Sequence, residues 1–246
     1  MTKTSKSILI TGCAGRIGQS LVETFKKEGY FVIGLDLKDS SIKELDVFVK
    51  TDLKRYAEEE GYRARIEEEL RPHTQSLHVL INNAAVQRLG SFPSFPLKDW
   101  NETLSVNLTA CMLLSQFCFP FLEQSKGSII NIGSIHQNLT KKNFVAYATS
   151  KSALVGFTKA LSLDIGDRVR VNAISPAAID TPMLRAGFDN DESKIDELRG
   201  LHPTGDIGGP DEVARLAVFI SSSESLFLNG SNITLDGGIS NVLNDL

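Results

Sequence analysis

Seven short runs rich in apolar and β-branched residues recur along the chain: SILIT, FVIGLD, DVFVK, LHVLIN, SIINIGS, RVRVNAIS and SNITLD. Runs this short and this continuously apolar read as strands buried on both faces. Most are separated by segments of helix length, so the alternation predicts an α/β fold. Its centre is a doubly wound parallel sheet of about seven strands, with helices on both faces. Helices are expected at roughly residues 16–28, 54–71, 98–124, 145–165 and 210–220, and Pro210 suits a first helical turn.

Two places break this rhythm. Between the second and third runs only about nine residues intervene, LKDSSIKEL, which is short for a parallel crossover. Residues 181–209 form a longer excursion, charged and bordered by proline and glycine. It follows the carboxyl end of a strand, where such sheets bind ligands, and a lid is expected there. No repeat, low-complexity tract or linker divides the 246 residues, so residues 1–246 are expected to form one domain.

Composition narrows the function. A formal net charge of −4 without a dense basic stripe removes the electrostatic footprint of a nucleic-acid binder, leaving a small molecule as the expected partner. Cys13, Cys111 and Cys118 are odd in number and lack CxxC spacing, which supplies neither a disulfide framework nor a zinc cage. His73, His78 and His202 are scattered, so no metal site is expected. No stretch reaches about 18 uninterrupted apolar residues, and the first apolar run is brief. The expectation is a cytoplasmic protein with reduced thiols and no membrane partner.

The segment ILITGCAGRIG runs from strand through a glycine turn into a helix, with Gly12, Gly15 and Gly18 three apart. Glycines there permit a tight turn and let the backbone approach a pyrophosphate, while N–H groups at the helix start face the phosphate. A glycine turn without a ligand is the plain alternative. The second run shifts the balance because it ends in Asp36, eighteen residues after Gly18. A carboxylate at that place accepts from an adenosine ribose and repels a 2′-phosphate. NAD is therefore favoured, while Arg16 and Lys38 lie close enough in sequence to keep NADP open. Asp52, ending the third run, suits an adenine amino group, an N-cap for the next helix, or both.

Further motifs follow in order: NNAA at 82–85, VNLTA at 106–110, IGS at 132–134, YATSK at 147–151, NAISPAAIDTPM at 172–183 and LDGG at 235–238. Together with TGCAGRIG they cover nearly the whole chain, which resembles the short-chain dehydrogenase/reductase family in its single-domain form. The resemblance implies a Rossmann fold and an oxidoreductase acting on CH–OH groups. It places catalytic roles on Asn107, Ser134, Tyr147 and Lys151. It places cofactor contacts on Gly12, Gly15, Arg16, Ile17, Gly18, Asp36, Asp52, Leu53, Asn83, Ala84, Tyr147, Lys151, Pro176, Ile179 and Thr181, with Asn82 and its strand flanking the cofactor. It also implies a homotetramer or dimer, using the apolar helix around LSVNLTACMLLSQFCFPFL.

Part of this chemistry follows from residue types alone. Tyr147 and Lys151 stand four apart in a helix, on one face. Hydride can leave an alcohol carbon only if the hydroxyl proton leaves too, and a free phenol near pKa 10 is a poor base at neutral pH. An ammonium about 5 Å away, at an effective dielectric of about 20, favours the phenolate by roughly 3 kcal/mol. Lys151 is therefore expected to lower the phenol's pKa and to suit the nicotinamide ribose hydroxyls. Ser134, at a strand end, is placed to hydrogen-bond the reacting oxygen. Asn107, by resemblance, holds a water linking Lys151 to solvent. Taken singly, a packed tyrosine, a solvated lysine and a capping serine or asparagine explain each residue as well.

Three positions depart from the commoner single-domain members. Arg16 takes the slot of the middle glycine, giving the spacing of the family's extended members, and Ala85 and Ala177 replace glycines. A nucleotide-sugar epimerase takes support from that spacing. Only some 65 residues follow PAAID, however, too few for a substantial second domain. An enoyl reductase fits less well, since relatives with that activity space Tyr and Lys more widely. A non-catalytic NAD-binding regulatory module has no need of the Ser134, Tyr147 and Lys151 set. His136, Gln137, Asn138, Lys141 and Lys142 suggest either a polar substrate rim, for a sugar or hydroxy acid, or simply a solvated loop.

Overall fold

The computed structural model describes residues 6–39, 42–75 and 77–243. Its strands are β1 (Ser7–Thr11), β2 (Phe31–Asp36), β3 (Val47–Lys50), β4 (Leu77–Asn82), β5 (Ser128–Ile132), β6 (Arg170–Pro176) and β7 (Asn232–Leu235). They form one sheet in the order β3-β2-β1-β4-β5-β6-β7, with every neighbouring pair parallel. The chain builds outward from β1 to β3, then returns to lay β4 on the other side of β1. That reversal opens a crevice at the carboxyl ends of β1 and β4, the usual ligand position in such sheets.

The helices are α1 (Arg16–Lys27), α2 (Leu53–Glu58), α3 (Glu60–Leu70), α4 (Leu97–Leu104), α5 (Ala110–Ser125), α6 (Val145–Ile165), α7 (Pro182–Ala186), α8 (Glu192–Gly200) and α9 (Pro210–Ser221). On one face Leu21, Val22 and Phe25 of α1 and Val213, Ala217 and Ile220 of α9 pack on Ile8, Ile10, Ile81 and Ile130. On the other, Tyr56, Ile66, Leu114, Cys118 and Leu122 pack on Leu9, Ile33, Leu80 and Ile129. Alternate strand residues thus serve opposite cores, which is why the runs are continuously apolar.

Two expectations need correction. The helix expected at 54–71 is two helices, because Glu59 takes an extended conformation (φ −114°, ψ 105°) between α2 and α3. The helix expected at 98–124 contains a π-helical turn, Ser105–Thr109, between α4 and α5. The short β2–β3 connection still delivers a parallel strand, with Ile33 opposite Val47, and residues 42–46 cross without a helix. The continuous stretch Leu97–Ser125 has the length and apolarity of a membrane span, yet Ala110, Leu114, Cys118 and Leu122 are buried against the sheet. The 181–209 excursion carries α7 and α8 and closes where Ile179 bridges to Gly208.

Candidate active site

Glycine geometry builds the first part of the crevice. Gly12 sits at φ +66°, and a Cβ there would lie 2.8 Å from the Ala84 Cα. A Cβ on Gly18 would lie 2.0 Å from the Gly12 carbonyl oxygen, so the first turn of α1 rests directly on the loop. Gly15 caps α1 without a side chain, which leaves first-turn N–H groups of Arg16, Ile17 and Gly18 for a bound anion. The loop therefore has the backbone approach that a pyrophosphate needs.

Asp36 is already engaged. Its Oδ2 accepts from the Ala14 N–H at 2.9 Å and its Oδ1 from the Lys38 N–H at 2.9 Å. Each oxygen keeps a further lone pair for a ribose hydroxyl. The carboxylate thus shapes the glycine loop. Asp52 caps α2, accepting from the Lys54 and Arg55 N–H groups through Oδ1, so the capping reading holds and Oδ2 stays available. Tyr62, which the sequence did not single out, takes the Asp52 N–H on its hydroxyl at 2.9 Å. Leu53 opens α2 beside it.

Asn83 ties β4 to the loop, donating to the Thr11 and Gly12 carbonyls at 2.9 and 3.1 Å. Thr11 Oγ1 in turn accepts from the Asn83 and Ala84 N–H groups. Asn82, whose strand was expected to flank the cofactor, has a buried side chain that donates to Asn131 Oδ1 at 2.8 Å and fastens β4 to β5. At the far rim, Pro176 ends β6, Ile179 is buried, and Thr181 caps α7 by accepting from the Leu184 N–H. Asp180 holds Arg185 through two hydrogen bonds of 2.6 and 2.8 Å. Arg185 and Arg199 both reach Glu192. The charge of Arg16 also favours the Asp180 carboxylate, so the 181–209 segment comes near the glycine loop.

The four residues expected to do the chemistry converge. Ser134 lies just past β5 and Tyr147 and Lys151 lie on α6, all three buried. Lys151 Nζ stands 5.7 Å from the centroid of the Tyr147 ring and donates to the Ile132 carbonyl at 2.7 Å. Burial brings the Lys151 pKa down to about 8. Asn107, in the π turn, is fixed through its side chain. Oδ1 accepts from the Val86 N–H, while Nδ2 donates to the Val86 carbonyl and to Ser150 Oγ. Its backbone carbonyl takes a weak contact from the Cys111 thiol. Ser150, silent in the sequence, also donates to the Tyr147 carbonyl and so couples α6 to the π turn.

One electrostatic expectation is not met. Burial raises the Tyr147 pKa, opposed by a hydrogen bond with the Ser134 side chain. Desolvation of the phenol dominates, with the Lys151 ammonium turned to the Ile132 carbonyl. His136 completes this wall: its ring stacks on Phe144 at 4.4 Å and meets Tyr147 edge-on at 5.7 Å. Burial, then the charge of Lys141, brings the His136 pKa down to about 4, so the imidazole is neutral. Among the described residues no cluster of His, Cys, Asp and Glu is arranged to hold a metal.

Comparison with known proteins agrees with this arrangement. A family model described as enoyl-(acyl carrier protein) reductase, within the short-chain dehydrogenase/reductases, matches residues 12–240. The aldohexose dehydrogenase of Thermoplasma acidophilum, solved without ligand, is 31% identical and superposes with a TM-score of 0.92. That match covers 98% of this chain and 96% of the other. A 4-hydroxyisoleucine dehydrogenase complexed with NADH is 25% identical, with a TM-score of 0.86 over 97% of this chain and all of its own (100%). A gluconate 5-dehydrogenase from Burkholderia cenocepacia, in complex with NADP and tartrate, is 25% identical with a TM-score of 0.86, over 97% and 96%. A doubly wound parallel sheet with a glycine cradle at its switch point, a buried Ser134–Tyr147–Lys151 set and a family match over nearly all of its length lead to one conclusion: the chain belongs to the short-chain dehydrogenase/reductase family of oxidoreductases.

Proposed function

We propose that the chain is an NAD(P)-dependent dehydrogenase or reductase for a small alcohol or carbonyl compound, a sugar or hydroxy acid among them, with NAD the preferred cofactor. The observation that carries this reading is the burial of Ser134, Tyr147 and Lys151 together beside the glycine cradle. The cofactor, when bound, supplies the hydride donor or acceptor. Tyr147 moves the proton of the substrate hydroxyl, and Ser134 donates a hydrogen bond to the same oxygen as charge develops on it. Lys151 keeps two N–H donors beyond the one given to Ile132, enough for ribose hydroxyls and for the relay. The Asn107 carbonyl positions the water through which Lys151 exchanges protons with solvent.

Burial raises the Tyr147 phenol, and the hydrogen bond with the Ser134 side chain opposes that rise. Positive charge brought beside the ring favours the phenolate further. Asp36 favours NAD, since its carboxylate repels a 2′-phosphate, although solved relatives hold NADH or NADP. The 181–209 segment, hinged on the Ile179–Gly208 bridge, serves as the lid. Three buried, unpaired thiols suit a reducing compartment such as the cytoplasm. Assembly as a dimer or tetramer completes the proposal.

The test is a panel of alcohols, sugars, hydroxy acids and ketones offered with NAD, NADP or their reduced forms, read by the absorbance of reduced nicotinamide. Reduced cofactor is expected to accumulate in proportion to product. Conversion without net reduction would instead identify an epimerase, and cofactor binding without any conversion a regulatory module.

A further inference from the structure

We infer that Lys141 selects the substrate, its ammonium receiving a carboxylate carried by the alcohol that Tyr147 deprotonates, which makes a hydroxy acid the preferred substrate class. This rests on the assignment of Tyr147 as the base. Lys141 Nζ lies 4.9 Å from the centroid of the Phe144 ring and 5.4 Å from that of Phe188. Phe144 precedes α6 and meets Tyr147 edge-on at 6.2 Å. Phe188 belongs to the segment between α7 and α8. The ammonium therefore stands where the loop before the catalytic helix meets the 181–209 segment, one aromatic ring from the phenol.

Its charge is not neutralised there. Arg88 at the same end pairs with Glu102, and Arg185, Lys194 and Arg199 each face carboxylates on their own segment. Among the described residues, no carboxylate comes within ion-pair distance of Lys141; its partners are two ring faces. Those hold the ammonium in place while leaving its donors open. The charge also reaches inward, since it contributes to keeping His136 neutral. A neutral imidazole places no competing cation beside Tyr147. A positive point at the mouth of a site in a chain of net charge −4 concentrates anions at that spot.

The experiment compares matched substrates in the full-length enzyme with NAD: aldonates, D-gluconate among them, each against the alditol of the same length and configuration. Wild type is expected to favour the aldonates. In Lys141→Met, which keeps the stem and drops the charge, the ratio of kcat/KM for aldonate over alditol is expected to fall by roughly tenfold to a hundredfold, mainly through KM. Lys141→Arg is expected to restore most of it. An unchanged ratio, including equal loss on both substrates, would show that Lys141 only braces the segment and would overturn the inference. So would a wild type that oxidises alditols and ignores aldonates, which leaves the dehydrogenase reading intact. Silence of both classes in a panel where other alcohols react would overturn the inference alone, and silence of every alcohol would overturn both readings.

Discussion

Lys151 is 2% exposed, and burial brings its pKa from an ordinary 10.5 to about 8. Between those values the unfolded chain binds more protons than the folded one. The charge therefore costs stability below about pH 8, and the cost is relieved as pH rises toward 10.5. Lys151→Met is expected to abolish turnover yet raise Tm at pH 7 by a few degrees, on the order of 1–3 kcal/mol, after allowing for the orphaned Ile132 carbonyl. A lower Tm in thermal melts would contradict this. His136 supplies an independent check on the same wall. An NMR titration of the free protein should place its midpoint near 4, well below the ordinary 6.5, and Lys141→Met should raise it. A midpoint near 6.5 would mean the ring is solvated and not stacked on Phe144.

The glycine loop and the strand beside it act as one element. Asp36 accepts from Ala14 and Lys38 backbone N–H groups, so its carboxylate has a structural duty that its place at a strand end did not disclose. Asp36→Ala should raise the kcat/KM ratio of NADP over NAD by about tenfold or more and cost about 1–2 kcal/mol of stability. Asp36→Asn, which keeps one acceptor, should retain more stability. A wild type that already prefers NADP would remove the basis for the cofactor shift. The central strands were legible because they are apolar on both faces, and the long α6 because its pattern is uninterrupted. The break at Glu59 was marked only by Gly61 two residues on, and the π turn at 105–109 by neither proline nor glycine. Each arises where the helix must fit its neighbours, as when Asn107 is drawn to Val86 and Ser150.

At the scale of the molecule, Leu163, Phe219, Leu226 and Phe227 remain exposed although all are apolar. Their chain segments are tied together, as Asn229 Nδ2 donates to the Ser162 carbonyl and Ser225 Oγ to the Phe219 carbonyl. An apolar patch of this kind suits burial against a second copy. Light scattering should report a dimer or tetramer, and Phe227→Glu should shift it to a smaller species; a wild-type monomer would contradict the oligomer. The candidate set Ser134, Tyr147 and Lys151 was legible in the order of its motifs, and the fold brings all three to one buried place. Their electrostatics were not, because the pKa of Tyr147 is set by burial that only the assembled sheet, loop and α6 create. The most direct test of the account is turnover by Tyr147→Phe, with NADH binding followed by fluorescence on the same samples. The account predicts a fall in kcat of roughly 10²–10⁴-fold with dinucleotide binding retained; full turnover by Tyr147→Phe would contradict it.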